Sequence, residues 1–129
     1  MLVMETPADS ALSGLRILIV EDDPLIADVL AEYVESAGGL VVGPFASMVG
    51  ALQGMTQLDA IDAAVLDIGL GGEDSYPLAE ALQTTGIPFI FSTGTERLHL
   101  PERFATAGHL LKPYRRAELI AELARLTQP

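Results

Sequence analysis

Five short apolar runs, rich in β-branched residues, alternate along this chain with segments of helical period, and that alternation restricts the fold more than any other feature. The runs are Leu15–Val20, Leu40–Val42, Asp62–Asp67, Ile87–Ser92 and His109–Leu111. Leu15–Val20 is apolar apart from Arg16, the pattern of a strand covered on both faces. Behind Pro24, a natural first-turn residue, Leu25, Ile26, Val29, Leu30, Tyr33 and Val34 recur on one helical face, and Gly38-Gly39 ends that helix. Ser47 can cap a second helix with the stripe Met48, Leu52 and Met55. A third is predicted from about Ser75 or Tyr76 to Gln83 with Leu78 and Leu82 inward, and a closing one from about Arg115 to Thr127 on Leu119, Ile120, Leu123 and Leu126. The stretch Gly94–Pro101 has a poor helical pattern, and a short, mobile fourth helix is expected there. Five βα units on a parallel sheet are the expected α/β architecture.

A chain of 129 residues suits one domain. Residues 1–13 lack periodicity and are expected to be a flexible tail, with the folded domain over 14–129. Half of the residues are hydrophobic, which argues for a well-packed core. Eighteen acids against seven bases give a formal charge of −11, which opposes direct binding to nucleic acid or an anionic membrane. The absence of cysteine excludes disulfides, thiolate metal sites and cysteine nucleophiles. The first residues lack the features of a signal peptide, and no apolar run approaches the ~20 residues of a membrane span, so a cytoplasmic protein is expected.

In an open α/β sheet the carboxyl ends of the strands gather along one edge. Here they carry unlike polar groups: Glu21-Asp22 after the first run, Asp67 after the third, Thr93 after the fourth and Lys112 after the fifth. Carboxylates hold Mg²⁺, one carboxylate can accept a phosphoryl group, and a hydroxyl and an ammonium can neutralise phosphoryl oxygens. Asp67 alone could as well be a turn or capping aspartate; the company it keeps makes the chemical reading stronger.

Four stretches carry a family likeness: Ile17-Leu18-Ile19-Val20-Glu21-Asp22-Asp23-Pro24, Ala64-Val65-Leu66-Asp67-Ile68-Gly69-Leu70, Pro88-Phe89-Ile90-Phe91-Ser92-Thr93-Gly94 and His109-Leu110-Leu111-Lys112-Pro113. With spacings of 45, 26 and 19 residues between Asp22, Asp67, Thr93 and Lys112, the chain resembles the receiver domain of two-component response regulators from about Leu15 to Leu126. The resemblance implies a flavodoxin-like (CheY-like) sheet of strand order 2-1-3-4-5 with five helices. It implies that Asp67 accepts a phosphoryl group from a histidine kinase or histidine phosphotransfer protein. Asp22, Asp67 and the Gly69 backbone carbonyl would ligate Mg²⁺ directly and Glu21 through water, with Asp23 peripheral. Thr93 and Lys112 would contact phosphoryl oxygens, and the Lys112–Pro113 peptide would be cis. The implied partners are that phosphodonor and a downstream protein target, reached by a monomer or weak dimer.

Three places depart from the family pattern. His109 stands where many receivers have an aromatic switch residue, and is either a smaller, titratable switch beside Thr93 or a solvated histidine. Gly71 stands where many have proline, so the loop after Asp67 is expected to be more mobile. Phe91-Ser92-Thr93-Gly94 resembles the Phe-Ala-Thr-Gly motif of stand-alone alphaproteobacterial receivers, although Thr95 and Glu96 depart from its aromatic end.

The leading expectation is a stand-alone receiver that signals through protein contacts and is not an enzyme beyond turnover of its own phosphoryl group. A variant is a phosphate sink that drains a kinase. A phosphatase of the haloacid dehalogenase type would need a second acid two residues after the nucleophile, where this chain has Gly69. A flavin or nucleotide module would use Gly69, Gly71 and Gly72 as a phosphate cradle, but the loop has neither G-x-G-x-x-G nor a P-loop lysine.

Overall fold

The computed structural model describes residues 10–56, 60–94 and 100–128. Among the described residues, seven strands form two sheets. The strands are β1 (Arg16–Val20), β2 (Leu40–Phe45), β3 (Ala63–Asp67), β4 (Gly69–Leu70), β5 (Glu73–Asp74), β6 (Phe89–Thr93) and β7 (Gly108–Leu111). The described α-helices are α1 (Pro24–Ser36), α2 (Met48–Thr56), α3 (Tyr76–Thr84) and α4 (Arg116–Thr127), with a 3₁₀ turn at Glu102–Phe104. The main sheet runs β2-β1-β3-β6-β7 with every pairing parallel, the expected order once the small β4–β5 hairpin is set aside.

Strand parity divides the core. Ile17, Ile19, Ala63, Val65 and Ile90 face α1 and α4, meeting Leu30, Val34, Leu119, Ile120 and Leu123. Leu18, Val20, Ala64, Leu66, Phe89 and Phe91 face α2 and α3, meeting Ala51, Leu78, Ala79 and Leu82. Alternate residues of one strand point to opposite faces, so a strand apolar at every position can be buried on both. All five residues of β3 and of β6 are buried.

The helix ends follow local chemistry. Asp23, expected to be peripheral, caps α1: its Oδ1 accepts the N–H groups of Leu25 at 2.9 Å and Ile26 at 3.4 Å. Gly39 closes the same helix by donating to Val34 O at 3.0 Å, and a Cβ there would meet Val34 Cγ1 at 2.6 Å.

Three expectations differ from the structure. The last residues of the tail predicted over 1–13 are packed instead: Leu12 is fully buried and its N–H donates to Ala37 O at 3.0 Å, because the first face of the sheet needs an apolar cover at its amino end. Residues 1–9 lie outside the described residues. The helix count is four among the described residues rather than five. The helix expected in Gly94–Pro101 falls largely on residues 95–99, outside the described residues, and after it Phe104 anchors the 3₁₀ turn. That ring is fully buried and meets Phe91 and Phe89 edge-to-face and Tyr76 at a tilt, at centroid distances of 5.7, 6.1 and 5.5 Å. Third, the loop after Asp67 is a two-stranded hairpin, in which Gly71 and Gly72 have φ of 59° and 87°. Two-residue hairpin turns favour positive φ at both central positions, which glycine adopts without steric cost. No described helix is long and apolar enough to cross a membrane.

Candidate functional site

Parallel register brings the strand ends level. Val20 pairs with Leu66, Asp67 with Ser92 and Thr93 with Leu111, so Glu21, Asp67, Thr93 and Lys112 arrive on one edge of the sheet. The ladder continues one step into the loops. Glu21 N–H donates to Phe45 O at 2.9 Å and Lys112 N–H to Thr93 O at 2.6 Å, which holds both residues where their strands end. The Lys112–Pro113 peptide is cis, as is Gly43–Pro44, a bond that the sequence reading did not single out.

The side chains converge. Lys112 Nζ lies 2.8 Å from Glu21 Oε1 and 3.2 Å from Asp67 Oδ2, bridging one carboxylate just past β1 and one at the end of β3. Glu21, Asp22 and Asp67 each offer a carboxylate oxygen within 4.8 Å of the others. Glu21 is 2% exposed and Asp67 9%, while Asp22 is on the surface, so the acids line a cleft that narrows inward. Asp67 Oδ1 also accepts the Gly69 N–H at 3.4 Å, and Glu21 Oε2 accepts the Asp23 N–H at 3.1 Å.

The surroundings push these groups apart electrostatically. Burial is the main cause that raises Glu21 to about 7, with Lys112 pulling the other way. Asp22 is held below the usual carboxylate range, chiefly because its Oδ2 accepts the Gly71 N–H at 2.9 Å. Lys112 is raised: burial alone would lower it, but the hydrogen bond to Glu21 and the charges of Asp67 and Glu21 together outweigh that. Three carboxylates facing one ammonium leave an excess of negative charge in a partly desolvated cleft, and a hard divalent cation with oxygen ligands fits that donor set.

Thr93 is buried at the end of β6. Gly69 is exposed at the start of the hairpin, one residue past Ile68. His109 lies on the edge strand β7 with its side chain exposed, in register with Phe91. The sequence reading missed two partners. The Gly71 amide reaches Asp22 across 49 residues, and the Tyr114 hydroxyl lies 3.1 Å from Ser92 Oγ. A polar residue inside an otherwise apolar strand was the available signal for the second; the first depends on the hairpin.

The sheet order, the cleft at its carboxyl edge and the lysine bridge together match one family. The model of the response regulator receiver domain covers residues 17–124. The chain belongs to that family. This receiver is 31% identical over 121 residues to the positive alginate biosynthesis regulatory protein of Pseudomonas aeruginosa, a match covering 89% of the chain and 48% of the relative. It superposes on the solution structure of SdrG from Sphingomonas melonis Fr1 with a TM-score of 0.76 at 42% identity, covering 91% of this chain and 98% of that one. The BeF3-activated conformation of SdrG from Pseudomonas melonis Fr1 gives a TM-score of 0.74 at 41% identity, covering 88% and 96%. The receiver spans about half the length of the curated relatives it matches.

Proposed function

We propose that the receiver takes a phosphoryl group onto Asp67 from a histidine kinase or histidine phosphotransfer protein, and passes the signal on through protein contacts. The observation that carries this reading is the Lys112 ammonium held between Glu21 and Asp67 on the edge where Asp22 and Thr93 also end. In the transfer, an Asp67 carboxylate oxygen bonds to phosphorus as the phosphorus–nitrogen bond of the donor breaks, and the departing imidazole nitrogen takes a proton. The product is an acyl phosphate on Asp67.

Each residue has a part that its chemistry allows. Lys112 carries three N–H donors, one of which Asp67 Oδ2 accepts while the ammonium also pairs by charge with Glu21 Oε1, so donor capacity remains for a phosphoryl oxygen. The Thr93 hydroxyl binds a second phosphoryl oxygen. Asp22, Asp67 and the Gly69 carbonyl would hold Mg²⁺ directly and Glu21 through water, in agreement with the acidic cluster. Bound there, Mg²⁺ supplies positive charge that offsets the phosphoryl oxygens against the carboxylates. Catalysis is confined to gain and loss of this one group, and the site is cytoplasmic, where the donors and Mg²⁺ are found. The match to a BeF3-activated conformation of a relative supports a receiver that changes state on loading.

The test is intact mass after incubation with Mg²⁺ and acetyl phosphate. The wild-type chain is expected to gain one phosphoryl group and the Asp67→Asn variant none; an equal gain in the variant overturns the assignment.

A further inference from the structure

The loop between β7 and α4 carries Lys112, and it is tied to the sheet at two points. The first is the backbone bond from Lys112 N–H to Thr93 O. The second is the contact of the Tyr114 hydroxyl with Ser92 Oγ, in which either oxygen can donate. Ser92 is 1% exposed and is the register partner of Asp67 across β3 and β6. Register partners in a parallel pair project to the same face, and Ser92 and Asp67 share the parity of Ile90 and Val65, which pack toward α1 and α4. Tyr114 packs against that same cluster.

The chemistry proposed above uses neither hydroxyl. A serine in a fully buried strand costs free energy unless it is hydrogen-bonded, so the tyrosine satisfies a group that an alanine would not have needed to bury. What the pair fixes is the origin of a flexible side chain. Lysine has four rotatable bonds and a point charge, so the place of its ammonium depends on how firmly its backbone is held. A loop with a free end at Tyr114 would let the ammonium drift from the two carboxylates, and small misplacements of a charged group cost rate.

We propose that the Ser92–Tyr114 hydrogen bond is a positioning pair for Lys112, pinning its loop to β6 beside Asp67 so that the ammonium meets both carboxylates. This rests on the reading of Lys112 as a partner of the phosphoryl oxygens. Tyr114→Phe removes the hydroxyl and keeps the ring; Ser92→Ala removes the other half, and Ser92→Thr restores a hydroxyl. Each deletion is expected to slow phosphorylation by acetyl phosphate about three- to tenfold, the range of one hydrogen bond, with the Mg²⁺ midpoint unchanged and Ser92→Thr near wild type. The double deletion is expected to be no slower than either single one, and Tyr114→Phe is expected to add nothing in a Lys112→Ala background. The Lys112 Nζ resonance is expected to shift in Tyr114→Phe, a readout independent of phosphorylation. A wild-type rate with an unmoved Lys112 resonance overturns the pair, as does a Tyr114→Phe effect of full size without Lys112. A wild-type chain that takes no phosphoryl group contradicts the receiver chemistry instead, and the Lys112 resonance then decides the positioning by itself.

Discussion

At the scale of single residues, the site is a contest between burial and charge, and Glu21 shows it best. Desolvation holds its carboxyl at about 7, well above the ordinary value of 4.5, against the pull of Lys112. A carboxyl raised in the folded state binds protons that the unfolded chain has already lost, so its contribution to stability falls as pH rises from about 4.5 to about 7. A divalent cation needs that carboxyl ionised, so loading releases a proton below the folded value and none above it. Thermal stabilisation by Mg²⁺ is therefore expected to be larger at about pH 8 than at about pH 6, as read by melting curves with and without the ion; equal shifts would contradict the burial argument. The residues that make this contest were legible in the sequence by type and place: Glu21, Asp22, Asp67, Thr93 and Lys112 each follow an apolar run. The lysine's double pairing was not, because which acids an ammonium bridges depends on side-chain reach across three strands.

At the scale of elements, the hairpin after Asp67 is where sequence reasoning and structure part. Gly71 in place of proline reads as a loss of rigidity, an argument about one residue's backbone freedom. The pair Gly71-Gly72 instead supplies two positive-φ positions in sequence, which is what a two-residue turn between β4 and β5 requires. The turn then sends the Gly71 amide to Asp22. Proline at 71 lacks the amide and cannot take φ of 59°, whereas asparagine keeps the amide and tolerates the left-handed region. Gly71→Pro is expected to weaken Mg²⁺ binding about tenfold and Gly71→Asn to leave it near wild type, by titration of each variant with the ion. Tight binding by the proline variant would show that the tether does not orient Asp22. Strand and helix placement was otherwise readable, since β1, β3 and β6 each hold a run of consecutive apolar residues and α1 has a clear stripe behind Pro24. The buried Phe104 was not, because a single aromatic in a pattern-poor segment gains its meaning only from Tyr76, Phe89 and Phe91 around it.

At the scale of the whole molecule, the fold's contribution is to bring three carboxylates, a hydroxyl and an ammonium to one edge. A parallel sheet covered on both faces by α1 with α4 and by α2 with α3 leaves only its edges and ends for polar chemistry, and the carboxyl end is where this chain spends its acids and its lysine. Register decides the rest: a slip of one residue between β3 and β6 would turn Asp67 and Ser92 to opposite faces and break both the cleft and the link to Tyr114. The family's sheet order therefore serves the site, and the central claim is that Asp67 is the one carboxylate that carries the phosphoryl group. Borohydride reduction of the loaded receiver, followed by peptide mass mapping, tests it most directly, because an acyl phosphate is reduced to an alcohol while a free carboxylate is not. Homoserine at position 67 alone is the expected result; homoserine at position 22, or 5-hydroxynorvaline at position 21, with Asp67 intact would contradict the account.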